Sequence, residues 1–241
     1  MKTKLILLLA ALGLASASVQ AQTTVIDFQT DGANYTPSAT EGSTTSSTDV
    51  FNRVNDPIGG KVAGDFYWAV EDISLDAPSI TLDTIDITGQ DLFTFSIDFL
   101  TLTSAQWDTT DELLITYTVD SGTAQNLMWV QSNEDGSNTN TPAALDLNFD
   151  GTGDAGQELP AITNAFSVPG LGSDFETFST NSIGVSGANL DITFQFERLT
   201  STGESIYFDN INVTVIPEPS SIALMAMVGL AAVVVLRGRK K

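Results

Sequence analysis

Asp146, Asn148, Asp150 and Asp154 place side-chain oxygens at positions 1, 3, 5 and 9 of the stretch DLNFDGTGD, with Gly151 at position 6. Alternate residues of a tight loop point inward, the glycine permits a sharp reversal, and the carbonyl of Thr152 at position 7 can complete a shell of hard oxygen donors. That is the opening of a calcium loop of the EF-hand type. Calcium (Ca2+) is therefore the expected cofactor, with Asp146, Asn148, Asp150, Thr152 and Asp154 as its ligands. Position 12 is Gln157 instead of Glu, Glu158 follows one place late, and no helical period flanks the loop. The expectation is thus a calcium loop set in a β protein, with weakened bidentate ligation. A metal-free hairpin is the competing reading, because Asp, Asn and Gly favour turns in their own right.

Asp209 is a second candidate ligand, with Glu71 or Asp72 as partners, because it falls where the last strand changes phase; its alternative role is to accept backbone N–H groups. Trp107, in a polar stretch between strands, is the candidate for stacking on a sugar ring, since an indole offers a flat apolar face and a polar edge. Trp68 and Trp129 lie in apolar runs and are expected in the core. Carboxylate pairs such as Glu71–Asp72 and Asp111–Glu112 could hydrolyse glycosides, but 30 acidic residues in 241 produce neighbouring pairs by chance. Histidine and cysteine are both absent. Serine–histidine triads, histidine-ligated zinc and disulfides are thereby excluded, and no catalytic residue is assigned.

These residues are carried by strands. In Leu92 to Leu100, Phe93, Phe95, Ile97 and Phe99 alternate with polar residues. Leu113, Ile115, Tyr117 and Val119 do the same, as do Leu190, Ile192, Phe194 and Phe196. Period-two alternation marks half-buried antiparallel strands. Further strands are expected at Gln22 to Phe28, Asp65 to Val70, Ile80–Ile87, Asn126–Gln131 and Ile162–Val168. Gly32 to Thr48 has no periodicity and reads as a surface loop. In Ser205 to Val215 the apolar residues move from even to odd positions across Asp209-Asn210, which a β-bulge explains. Many short strands and no helical period between Gln22 and Ile216 give an all-β antiparallel sandwich of jelly-roll type.

The series Tyr67-Trp68-Ala69-Val70-Glu71-Asp72, Trp107-Asp108, Asp111-Glu112 and Tyr207-Phe208-Asp209-Asn210-Ile211 resembles a secreted bacterial jelly-roll-like domain, similar in layout to carbohydrate-binding modules. The resemblance implies a fold more than a function.

Both ends of the chain carry addresses. Lys2 and Lys4, the apolar Leu5 to Leu14 and the small residues to Ala21 read as a signal peptide over residues 1–21, cut after Ala21, with Ala15-Ser16-Ala17 as the competing site. Residues 22–216 are the extracellular domain. At the other end, Pro217-Glu218-Pro219 precedes the uncharged Ser220 to Leu236, of 17 residues, and then Arg237-Gly238-Arg239-Lys240-Lys241. The apolar run, at about 220–236, is the short end of a membrane-spanning helix, and the basic cluster at 237–241 holds that end in the cytoplasm. Residues 217–241, in that order of features, resemble the PEP-CTERM sorting signal of Gram-negative bacteria. The resemblance implies cleavage by an exosortase near Pro217, Glu218 and Pro219, with transient anchoring in the membrane. A plain membrane anchor is the alternative; both put the domain outside the cytoplasm.

Between these addresses, 29 acidic residues face only Arg53, Lys61 and Arg198, a net charge of −26. Such a surface repels nucleic acid and suits divalent cations or solubility. The expected role is structural or adhesive, within extracellular polysaccharide or biofilm. A carbohydrate-binding module is the alternative reading, followed by a glycoside hydrolase.

Overall fold

The structure, a computed structural model, describes residues 20–42, 49–55, 65–101, 107–133, 141–161, 175–201 and 204–217. Every regular element among them is a strand. In chain order these are β1 (Gln22–Ile26), β2 (Tyr35–Pro37), β3 (Val50–Val54), β4 (Tyr67–Glu71), β5 (Ser79–Leu82), β6 (Ile85–Asp86) and β7 (Leu92–Leu100). There follow β8 (Glu112–Val119), β9 (Gln125–Ser132), β10 (Ala143–Leu145), β11 (Glu176–Ser179), β12 (Ile183–Gly184), β13 (Asn189–Glu197) and β14 (Ser205–Ile216).

They form two seven-stranded antiparallel sheets. The first runs β11-β7-β14-β4-β3. Here β14 pairs with β7 along one edge, while its other edge is shared end to end by β4 (Ser205 to Phe208) and β1 (Ile211 to Val215). The second runs β10-β9-β8-β13-β5-β2, with β6 also on β13. The expected antiparallel β-sandwich is the fold observed.

Alternation decides which side chains enter the core. Phe93, Phe95, Ile97 and Phe99 of β7 face Ile115 of β8 and Ile192, Phe194 and Phe196 of β13 across the sandwich, all of them at most 1% exposed. Phe208 sits at the centre. Its ring stacks on Phe194 at 5.6 Å and Phe196 at 5.9 Å, and meets Phe28 edge-on at 5.7 Å. A second, smaller cluster of Val50, Val54, Tyr67, Ala69, Leu100 and Tyr207 packs apart from this core. By strand alternation Tyr207 lies on the face opposite Phe208.

The expected phase change is present. Asp209 pairs with Asp98 but Asn212 pairs with Ser96, so β14 carries one residue more than β7 over this span. Asn210 takes the left-handed conformation (φ 49°), and its Nδ2 donates to Asp98 Oδ2 at 2.8 Å. Ile206 and Phe208 before the bulge, and Ile211, Val213 and Val215 after it, therefore all face inward.

Two expectations change. Tyr35–Pro37, within the stretch read as a loop, is a strand on β5, because Tyr35 buries its ring against Phe28 and Trp68. Ile80–Ile87 is two short strands, β5 and β6. Ile162–Val168, the signal peptide up to Val19 and the membrane helix at 220–236 lie outside the described residues.

Candidate metal centre

Three carboxylates converge where two chain reversals meet. Asp108 and Asp111 occupy the turn that enters β8. The Asp111 N–H donates to Asp108 O at 3.2 Å, and the Asp108 N–H donates to Asp111 Oδ2 at 2.7 Å. Asp108 Oδ1 accepts from the Thr110 N–H and hydroxyl at 2.7 and 2.6 Å. Glu204 occupies the turn that enters β14. Its N–H donates to Ser201 O at 3.0 Å, and its Oε2 accepts the Ser201 N–H at 2.7 Å. One oxygen from each of the three residues lies within 4.8 Å of the others, and among the described residues this is the one such acidic group.

The electrostatics are severe. Asp111 is 0% exposed and Glu204 3%, and Asp111 Oδ1 has no hydrogen-bond partner among the described residues. Burial pushes the Asp111 carboxyl up to about 8; the Asp108 N–H opposes the rise, and the charges of Glu204 and Asp108 add to it. Burial also raises Glu204, against the donors at Ser201 and Thr200 and with Asp108 adding to the rise. Carboxylates crowded out of water are disfavoured as charges unless a cation joins them. The triad can hold a metal ion.

Trp107 positions it. This ring is 1% exposed, its Nε1 donates to Ser205 O at 3.2 Å, and its backbone exchanges hydrogen bonds with Thr141 at 3.0 Å. The residue before Asp108 thus grips the residue after Glu204. The expectation of Trp107 as a sugar-stacking platform is corrected accordingly, because a ring enclosed on both faces offers no surface to a pyranose. Trp68 is in the core, as expected, whereas Trp129 is half-buried, with its Nε1 donating to Glu112 Oε2 at 3.1 Å. Glu112, the neighbour of Asp111, is thereby drawn into a separate network with Gln131.

The other sequence candidates fall elsewhere. Asp146 is 1% exposed and accepts the N–H groups of Asp150 at 3.3 Å and Gly151 at 2.8 Å. Asn148 accepts from Asp150 N–H at 2.9 Å, Asp150 from Thr152 N–H at 3.1 Å, and Asp154 from Leu147 N–H at 2.8 Å. The loop's oxygens are thus turned to its own backbone, and Asp146, Asp150 and Asp154 do not form a converging group. Glu158 is turned to the Gly156 N–H and Asn133. Asp209 is buried at the bulge, but Glu71 lies opposite Ser205, four residues away along β14, and its carboxylate accepts the Tyr207 hydroxyl at 3.0 Å. Among the described residues, Asp209, Glu71 and Asp72 do not form a converging acidic group. Glu204 was not singled out from the sequence, and nothing local to it distinguishes it from other surface-type glutamates.

The chain's end decides its address. Residues 215–240 match the PEP-CTERM protein-sorting motif. The chain carries a PEP-CTERM sorting signal. It begins at Val215, inside β14, so the sorting signal follows the sandwich with no spacer. The motif implies recognition by an exosortase, export, and transient anchoring before processing. No curated protein matches the chain. Among solved structures, the K1 cleaved adhesin domain of Lys-gingipain from Porphyromonas gingivalis W83 is 12% identical over 80% of this chain and 97% of its own, with a TM-score of 0.40. The CBM22-1 xylan-binding domain of Paenibacillus barcinonensis Xyn10C is 9% identical over 83% of this chain and 99% of its own, also with a TM-score of 0.40. Neither likeness bears on a ligand.

Proposed function

We propose that this chain is an exported, non-enzymatic surface or matrix protein that an exosortase processes at Pro217-Glu218-Pro219 and that serves as a structural or adhesive component of extracellular polysaccharide. The observation that carries the reading is the sorting motif at 215–240, continuous with the last strand of the sandwich. The sandwich is the cargo, and calcium is the ion that stiffens it. Its dense negative charge keeps it soluble outside the cell, and it relies on a packed core and bound metal in the absence of cysteine.

The test compares the full chain with a variant in which Pro217, Glu218 and Pro219 are all alanine, expressed in cells that hold an exosortase. The wild-type chain is expected to lose its tail and collect in the extracellular polymer, with the variant retained uncut in the membrane. Equal surface delivery of both would overturn the reading, as would turnover of a polysaccharide by the purified protein.

A further inference from the structure

We propose that Asp108, Asp111 and Glu204 are the ligands of a calcium ion that staples the two sheets together at one end of the sandwich. This rests on the reading of the chain as a calcium-stiffened module and names the site.

Two independent observations support it. The first is convergence: oxygens of three acidic residues lie within 4.8 Å of one another. Oxygens bound to one calcium at about 2.4 Å are separated by at most about 4.8 Å, so the group has the span of a half-shell. The second is Asp111 Oδ1, unpartnered among the described residues and on a side chain that is 0% exposed. A buried acceptor without a donor is rare and costly, and a cation is the partner that a carboxylate beside two others requires. Each carboxylate already gives one oxygen to its own turn (Asp108 to Thr110, Asp111 to Asp108 N–H, Glu204 to Ser201), so the turns are set with no cation needed to fold them.

The donor set selects the ion. It consists of oxygen only, in a chain without histidine or cysteine, which disfavours zinc and copper. Donors from two separate turns suit an ion that accepts six to eight ligands in irregular geometry. Magnesium demands near-ideal octahedral geometry. The ligands also have a mechanical meaning. Asp108 and Asp111 lead into β8 of one sheet and Glu204 leads into β14 of the other. One ion there ties sheet to sheet, beside the Trp107–Ser205 hydrogen bond, in a protein that has no disulfide to do so.

The experiment uses the full chain in detergent, stripped with a chelator and titrated with calcium chloride by calorimetry and thermal melting. Wild type is expected to bind one ion with Kd on the order of 10⁻⁴–10⁻³ M and to melt roughly 3–10 °C higher at 10 mM calcium. Asp111→Asn and Glu204→Gln keep shape and remove charge. Both are expected to melt no lower than wild type in chelator, and to bind calcium at least about tenfold more weakly. Terbium in place of calcium supplies the location. Its tryptophan-sensitised emission is expected to fall in Trp107→Phe and persist in Trp129→Phe; the Trp129 ring lies next to the Asp146–Asp154 loop, 4.0 Å from where a Cβ at Gly151 would stand. If Asp111→Asn responds like wild type and Asp150→Ala does not, the triad is overturned while the calcium reading stands. If wild type gives neither heat nor shift, both fall.

Discussion

Gln22 pairs with Val215 across β1 and β14. The residue that follows the expected signal-peptide cut therefore lies beside the first residue of the sorting motif. β1 also covers the edge of β14 that β4 leaves open. Removal of residues 22–26 should bare that edge, so amides at 211–215 should exchange faster while those at 205–208, held by β4, stay protected. Hydrogen exchange followed by mass spectrometry reads both stretches at once.

Trp107→Phe keeps an aromatic ring of smaller volume and deletes the hydrogen bond to Ser205 O. The Ser205 carbonyl loses the indole donor and the smaller ring leaves space in the interior, so the protein should lose about 1–3 kcal/mol in urea unfolding. Because Trp107 is a positioning residue for the triad, calcium affinity should fall as well, which loss of packing elsewhere would not produce.

Phe208→Ala empties the centre of the core, between Phe194, Phe196 and Phe28. Truncation of a phenylalanine so enclosed costs about 3–5 kcal/mol. Equilibrium denaturation of the variant measures that loss.

Glu71 supplies a pH dependence. Burial raises its carboxyl above the usual 4.5; the Tyr207 hydroxyl opposes this and the Asp72 charge adds to it. The folded state therefore holds this proton more firmly than the unfolded state does. The contribution to stability is complete below about 4.5 and is lost as pH rises through the raised value. Glu71→Gln retains an acceptor for Tyr207 and should flatten that part of the melting-temperature profile. A variant profile parallel to wild type above pH 4.5 would refute the assignment.

Gly153→Ala tests packing beneath the Asp146–Asp154 loop. An added Cβ would stand 2.8 Å from Ala144 Cβ and 3.0 Å from Gln131 O. The resulting strain should cost about 1–3 kcal/mol, measured by denaturation, with calcium affinity unaltered because the triad lies elsewhere.

The local features are legible in the order of residues alone. Alternation in Leu92 to Leu100 and Leu190 to Arg198 named the strands and their inward residues, since side chains of a strand point to opposite faces in turn. The slip from Phe208 to Ile211 named the bulge for the same reason, and the order of features after Ile216 named the sorting signal. The absence of cysteine and histidine bounded the chemistry. Tertiary structure alone decided what meets what. Asp108 and Asp111 lie far from Glu204 along the chain, and they converge only because β8 and β14 start at the same end of opposing sheets. Spacing within one stretch pointed instead to Asp146–Asp154, where the same residue types suffice for a turn held by its own N–H groups. Trp107 stands in a polar stretch and is enclosed, while Trp129 stands in an apolar strand and is partly exposed. Local hydropathy records the neighbours of a residue in sequence; burial is set by the strands packed over it.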